Sequence, residues 1–529
     1  MHIIKPSSLF LLLLFGYNTF AQRADILITN GRIIDGTGNS WFYGDVAITN
    51  GKIFYIGKSK QITAAKTIDA KGMVVTPGFI DVHTHIEGDE KLTPTADNFI
   101  LDGVTTVVTG NCGSSHVDLK KYFLFLDSLR LSINIASLVG HNDIRKAVMG
   151  TANRAPTQNE LLQMQQLVAQ AMKDGAVGLS TGLIYIPGTY SQTSEIVALA
   201  KTAAQYNGLY ATHMRDEADS VSEAISEALS VGRQANIPVE ISHFKVGGQQ
   251  NWGRSKQTLQ MIKDARAQGL DVTIDQYPYT ASSTSLSTLI PEEILADGID
   301  SVKTRLQRED VRRYISEYML KKLKKRKLKH FSYAVVASYR PDSTYNGKSI
   351  EEINMMKGKK HTAKEEAETV IELMLNGGAG MVFHGMSEED VKYIMQYSFN
   401  MIASDAGIRQ FGQGVPHPRG YGSNARVLSK YVREEKIISL EEAVRRMTSL
   451  PAQKFQLIGR GLLKEGMAAD ILIFDEKQVQ DMSTFDKPHQ YSKGFEFVIV
   501  NGKLTVENGV HTGIRNGTAL MGQGINKIL

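Results

Sequence analysis

The chain's single cysteine, Cys112, lies in GVTTVVTGNCG, shortly after the histidine pair His83 and His85 in PGFIDVHTH. Two more histidines close apolar runs downstream, His213 in YATHMRDE and His243 in VEISHFK. One thiol and four imidazoles form a set able to hold a zinc-like ion for hydrolytic chemistry. The two-residue period of a strand explains the HxH spacing, because it puts both imidazoles on one face within reach of one ion. On a helix the same result would need HExxH. Taken singly, each histidine reads equally well as a polar residue at a strand end, and Cys112 as a small buried hydrophobe. The five together favour ligation. Asp405 in MIASDAG adds a carboxylate at the end of another apolar run. Its expected work is to take a proton from the attacking water and pass it to the leaving nitrogen; the alternative is an Asp that caps the turn before Gly407.

These residues must be positioned by the elements that precede them. Eight short apolar runs, VVTPGFIDVH, VTTVVTGNC, INIASLVGH, AVGLSTGL, GLYATHM, PVEISHF, LDVTIDQYPY and FNMIASDAG, alternate with helical stretches such as SEIVALAKTAAQY and DSVSEAISEALSVGRQA. Eight β/α repeats predict a closed (β/α)8 barrel of the TIM type, whose chemistry lies at the C-terminal ends of its strands. An open doubly wound sheet is the alternative, but it gathers ligands at one crevice rather than at many strand ends. The barrel is expected over 76–285 and 366–455. Charged helical sequence over 286–365, including KKLKKRKLKH, reads as an inserted lid segment between the last two strands. Acidic residues flank that basic run, which favours a solvated helix face over a binding patch. ADILITNGRIIDGTG and GDVAITNGKIFYIGK before the barrel, and ADILIFD and FEFVIVNGKLTVENGV after it, read as hairpins with Asn-Gly turns. Both termini, 22–75 and 456–529, are therefore expected to build one small β-sandwich.

With 529 residues the chain is long enough for a barrel of about 250 residues with additions. Its 42% hydrophobic and 22% charged content argues against disorder and against a membrane bundle. The 60 basic residues are interleaved with 55 acidic ones, so no nucleic-acid partner is expected. Residues 1–21 depart from this average, with Lys5, an apolar run over 9–15 and a polar step to Ala21. This pattern predicts a secretory signal cut after Ala21 and a periplasmic or secreted protein, with an uncleaved anchor as the alternative. A lone thiol in an oxidising compartment has no partner for an internal bridge, which again favours a metal ligand. No stable membrane anchor is expected, and the oligomeric state is not read from the sequence.

PGFIDVHTH, GNCG, THMRDE, ISHFK, DQYPYTASS, ASDAG, HPRGYG and EGMAADILIFD together resemble the amidohydrolase superfamily, and within it the N-acyl-D-amino-acid deacylases, or D-aminoacylases. Cys112 standing where other members carry a carboxylated lysine points to that subgroup. The resemblance covers nearly the whole mature chain. It implies a barrel with a small β-sandwich and a lid, one or two zinc ions, and hydrolysis of an N-acyl-D-amino acid to a carboxylate and a D-amino acid. By motif, His83 and His85 would hold one metal position, His213 and His243 the tighter one, and Cys112 would bridge or join the latter, with Asp405 as acid/base. Zinc suits mixed thiolate and imidazole ligation. Arg419 in HPRGYG would clamp the substrate carboxylate bidentately, and Lys245, read as lying on the strand face of His243, would add a second positive contact. Tyr185, Tyr277 and Ser283 match positions that hold substrate, against a plain reading as core and turn packing. His141 in VGHND is a candidate to orient the carbonyl, and His384 is read as structural. Two other readings stay open: a cyclic-amide hydrolase of the dihydroorotase or hydantoinase kind, disfavoured by the lack of a lysine in GLSTGL, and an exported metal-containing binding protein without catalysis, disfavoured by Asp405.

Overall fold

The computed structural model describes residues 23–58 and 62–526. The signal segment expected over 1–21 lies outside them, and no helix among the described residues is long and apolar enough to cross a membrane.

Eight parallel strands follow one another as expected: β1 (Phe79–Asp81), β2 (Val104–Thr109), β3 (Asn134–Ser137, resuming at Val139–Gly140), β4 (Gly178–Gly182), β5 (Leu209–His213), β6 (Val239–Ile241), β7 (Val272–Gln276) and β8 (Asn400–Ile402). The pairing β1-β2-β3 joins β4 through Val139–Gly140, then runs β4-β5-β6-β7-β8. The ring closes just beyond the strands, where the Asp405 N–H donates to His83 O at 2.9 Å and the His85 N–H to Ala406 O at 2.9 Å. Closure therefore sets two ligand candidates and Asp405 side by side. β2, VTTVVT, shows why these runs are strands: it is β-branched, and all six residues are buried, as a strand covered on both faces requires.

Helices such as Thr193–Ala204 and Val221–Ala235 cover the barrel. Their apolar stripes, Ile196, Leu199 and Ala203 on one and Val221, Ile225 and Leu229 on the other, pack in one core with Leu179, Tyr210 and Ile241 of the strands. That i, i+3, i+4 spacing is the periodicity that made these segments legible as helices.

Residues from both ends of the chain build one nine-stranded sheet. Arg23–Ile33 pairs with Phe42–Thr49, Thr63–Asp69 and Val74–Pro77, and the last of these pairs with Ile471–Phe474 from the far end of the sequence. Three Asn-Gly turns among the described residues, Asn50 (φ 49°) to Gly51 (φ 74°), Asn501 (φ 47°) to Gly502 (φ 75°) and Asn508 (φ 52°) to Gly509 (φ 73°), have the left-handed backbone that a two-residue hairpin demands. The Asn-Gly turn expected at Asn30 and Gly31 does not form, since strand Arg23–Ile33 runs through them with a register shift. The first two turns also touch. A Cβ on Gly502 would lie 2.6 Å from Gly51 Cα, so glycine is required there for contact as well as for φ.

Two boundaries differ from the sequence expectation. The insertion between β7 and β8 is wider than 286–365: Ala281–Ser285, Gly380–His384 and Ala334–Ser338 form a three-stranded antiparallel sheet. That sheet shares its own apolar core, Leu286, Ile315, Met319, Ile350, Val370 and Met381, with the insertion's helices. The apolar face of helix Ala363–Leu375 belongs to that core, so the barrel does not resume at 366. The end of the chain also leaves the terminal sheet. The Ile135 N–H donates to Thr518 O at 3.0 Å and the Leu520 N–H to Ile135 O at 2.7 Å, filling the edge of β3 before Val139 takes over the pairing with β4. The Gly517 N–H adds a bond to Leu131 O at 2.8 Å. With the Gly522 N–H to Gly175 O bond at 2.8 Å included, deleting residues 514–529 is expected to cost on the order of 4 kcal/mol, about 1 kcal/mol per lost backbone bond. A fall of several degrees in Tm checks this; an unchanged Tm would show that the tail does not seal the barrel.

Candidate metal centre

Cys112 is the hub of the strand ends. Its Sγ lies 3.3 Å from His83 Nε2, 3.6 Å from His213 Nδ1 and 3.6 Å from His243 Nε2. Zinc–sulfur and zinc–nitrogen bond lengths in a tetrahedral site imply a ligand–ligand separation of roughly 3.5 Å, so the donor set fits that ion. Two groups of candidate ligands share the sulfur, His83 with His85 and His213 with His243, and a third group joins His83 and His243 to Asp405. Asp405 Oδ1 is 3.3 Å from His85 Nε2 and 3.7 Å from His83 Nε2. The structure thus brings all six sequence-predicted residues together.

Most of them stand just past the strands rather than on them. His213 ends β5, but His83, Cys112, His243 and Asp405 occupy the first turns beyond β1, β2, β6 and β8. Three have left-handed backbone, Cys112 at φ 53°, His243 at φ 38° and Asp405 at φ 51°. Such conformations cost about 1–3 kcal/mol each in a non-glycine residue and persist where the surroundings over-determine them. Beside Cys112 the room is tight: a Cβ on Gly113 would fall 2.2 Å from Asn142 Oδ1.

The electrostatics suit a thiolate. Burial alone would push the Cys112 thiol up, but the charge of His83 and hydrogen bonds from His213, His243 and His83 bring it well below its ordinary value. Burial likewise opposes a charge on Asp405, and Arg419, His83 and His85 outweigh it and hold the carboxyl well below the usual range. Burial keeps His213 low.

Two carboxylates that the sequence reading left without a role orient the imidazoles. Asp275 Oδ2 lies 3.3 Å from His83 Nδ1 while its Oδ1 accepts the His243 N–H at 2.9 Å. Glu217 Oε1 lies 2.8 Å from His243 Nδ1, beside the Lys245 ammonium at 2.9 Å from the same nitrogen, and Nε2 is turned to the sulfur. A carboxylate behind a ligating imidazole fixes its tautomer and raises its basicity. Both acids stood in quoted motifs, DQYPY and THMRDE, but only the fold shows that each turns back on a histidine.

Tyr185, Lys245, Tyr277 and Ser283 line a cavity of ≈970 Å³ between the barrel mouth and the insertion, and Arg419 does not. Tyr185 Oη meets Thr284 Oγ1 of the insertion at 2.9 Å and sets its ring against His213, centroids 5.0 Å apart. The Tyr277 ring lies between two cations, Arg419 at 4.6 Å and Lys245 at 5.7 Å. Arg419 Nη1 pairs with Asp405 Oδ2 at 2.7 Å and Nη2 donates to the Ser283 carbonyl at 3.2 Å. Its Nε has no hydrogen-bond partner among the described residues. The guanidinium is therefore tied to Asp405 and stands behind it and Tyr277, which line the cavity, a link the sequence did not reveal.

Lys245 departs from expectation in two ways. It lies in the loop past β6 rather than on a strand face, and its charge is balanced by Glu217 at 2.7 Å. His141 is corrected too. Its Nε2 bonds Glu195 Oε1 at 2.8 Å in a buried network with Arg145, and its Nδ1 meets Asn142 Oδ1 at 3.3 Å, so no ring nitrogen is left to orient a carbonyl. His384, read as structural, instead lines the cavity, as do Lys322, Lys325 and Arg326 from the basic run. Lys325 reaches across to Asp219 of the barrel at 2.7 Å.

Comparison with known proteins agrees with this layout. The model of the amidohydrolase family matches residues 66–315 and 401–506. The D-aminoacylase of Alcaligenes xylosoxydans xylosoxydans is 34% identical over 94% of this chain and 98% of its own length. The N-acyl-D-glutamate deacylase of the same organism is 35% identical over 91% of this chain and 93% of its own. Among solved structures, the N-acyl-D-glutamate deacylase of Bordetella bronchiseptica, complexed with zinc and a phosphonate mimic of the tetrahedral intermediate, superposes with a TM-score of 0.80. It is 34% identical, and the match covers 94% of this chain and 100% of that one. Relatives of this identity and extent place the chain in the amidohydrolase family, in its N-acyl-D-amino-acid deacylase (D-aminoacylase) branch.

Proposed function

We propose that the protein is a zinc-dependent hydrolase of linear amides that converts N-acyl-D-amino acids to a carboxylate and a free D-amino acid, and that it is exported. The observation that carries the chemistry is the thiol–imidazole cluster around Cys112 with Asp405 on its cavity side. Export rests on the pattern of residues 1–21, and D-amino acid substrates on the relatives. His83, His85, Cys112, His213 and His243 hold one or two zinc ions, which when bound lower the pKa of water and polarise the amide carbonyl.

The remaining work belongs to the chain. Asp405, kept ionised by Arg419 and His83, accepts a proton from the attacking water and returns it to the leaving nitrogen. Arg419 offers the α-carboxylate the N–H groups that Asp405 and Ser283 do not take, and Tyr277 stacks behind it. Lys245, its charge balanced by Glu217, presents its ammonium beside Tyr277 as a hydrogen-bond donor, while Tyr185 and Ser283 border the acyl amino acid where the insertion meets the barrel. Turnover of N-acetyl-D-methionine beside dihydroorotate, each with a chelator-treated control, tests the reaction class. Cleavage of the linear amide alone supports it; ring opening alone would move the protein to the cyclic-amide hydrolases, and neither reaction would leave a binding role.

The double engagement of Arg419 makes a specific prediction. Arg419→Ala is expected to lower kcat/KM for the N-acyl-D-amino acid by about 1.5–3 kcal/mol relative to its methyl ester, the worth of a charge-assisted hydrogen bond. Equal losses on acid and ester would mean that Arg419 serves Asp405 alone, and the carboxylate clamp would have to be assigned elsewhere.

A further inference from the structure

The insertion holds a second set of metal-type side chains, remote in sequence from the Cys112 cluster. Four ligand atoms, from His330, Glu351, His361 and Glu366, all lie within 4.8 Å of one another. They come from separate segments: His330 follows helix Glu309–Lys325, Glu351 is in the first turn of Ile350–Met356, His361 lies in the loop after it, and Glu366 is in the first turn of Ala363–Leu375.

The contacts form one connected unit. His330 Nδ1 is 2.6 Å from Glu366 Oε1 and 3.8 Å from Glu351 Oε1, and His361 Nε2 is 2.6 Å from Glu351 Oε1. The two imidazoles stack with centroids 4.2 Å apart and planes 22° from parallel. Glu366 is fully buried and spends its Oε2 on the Phe331 N–H at 2.7 Å, which leaves Oε1 for the cluster. Among the described residues, no lysine or arginine forms an ion pair with Glu351 or Glu366. A buried carboxylate without a fixed cation is costly, and here two carboxylates converge on two imidazoles instead.

We propose that this cluster is a second, non-catalytic site for a divalent ion of the zinc class, which pins the helical layer of the insertion. Two imidazoles and two carboxylates are a donor set that zinc and its first-row neighbours accept. A tetrahedral ion with bonds of about 2.0–2.2 Å would space its ligand atoms by roughly 3.4 Å. The short His–Glu pairs therefore open, the wider gaps close, and the rings turn out of their stack so that their lone pairs converge. The His361 side chain, 51% exposed, is free to make that turn and leaves the site open to ions from solution. Binding displaces the protons that the imidazoles share with the carboxylates, as ligation requires.

Full-length protein stripped by a chelator, then titrated with zinc chloride and desalted, gives the number of equivalents retained. His361→Ala and Glu351→Gln are each expected to retain one equivalent fewer than wild type. Both should keep kcat/KM for deacylation within about twofold and lose part of the zinc-dependent rise in Tm, since they touch no residue of the Cys112 cluster. Cobalt(II) separates the centres: the thiolate charge-transfer absorption of Cys112 should survive in both variants while the remaining visible absorption falls. His361→Ala removes a half-exposed ring and Glu351→Gln keeps its shape, so folding is not at stake in both at once. Equal zinc equivalents in wild type and both variants would overturn the site and leave two plain His–Glu hydrogen bonds.

Discussion

Cys112→Ala is expected to purify without tightly bound zinc at the barrel mouth and without deacylase activity. The sulfur is within 3.6 Å of three imidazoles from three different strand ends and belongs to both candidate metal positions, so its loss removes a ligand from each. Loss of an outer-shell partner alone costs about 10–100-fold in metal affinity or activity, and removal of the shared thiolate should cost more. Elemental analysis of the purified variant, with kcat/KM measured beside it, decides the matter. Unchanged zinc content with full activity would end the ligand assignment.

Asp405→Asn should behave differently. The five candidate ligand side chains are untouched, so zinc should stay, while kcat should fall by about 10²–10⁴-fold, the usual contribution of a general acid/base group. The substitution also leaves Arg419, only 4% exposed, without its carboxylate partner. Breaking such a buried pair costs on the order of 3–5 kcal/mol, so Tm should fall as well. Zinc retained with kcat near wild type would place the proton shuttle elsewhere, and His141 is not available for it because its ring is committed to Glu195 and Asn142.

The contrast between these residues shows what a sequence reveals. Strand ends and helical stripes are local patterns, so the eight strands, the insertion between the last two and the candidate ligands His83, His85, Cys112, His213 and His243 could be read in order. Asp405 was visible because it follows an apolar run. Roles set by the return of a chain were not visible. Glu217 matters only because the loop after β5 folds it back under His243, and Asp275 because β7 lies beside β6 in the barrel. Lys245 looked like a free cation for the same reason, since its neutralising partner is remote in sequence. The edges of the insertion were misjudged because strand Gly380–His384 pairs with Ala281–Ser285 across the intervening helices, a long-range contact with no local signature. Similarly, the tail looked like the end of a terminal sheet, yet its backbone bonds go to β3.

The central claim, zinc-dependent hydrolysis of N-acyl-D-amino acids at the Cys112 centre, is tested most directly by one assay series. In it kcat/KM is measured for N-acetyl-D-methionine and its L-enantiomer on the enzyme as purified, after chelation, and after zinc is returned. The D-substrate should be cleaved in preference to the L, with activity lost on chelation and recovered with zinc. Hydrolysis that survives complete removal of the metal, or a preference for the L-enantiomer, would contradict the account.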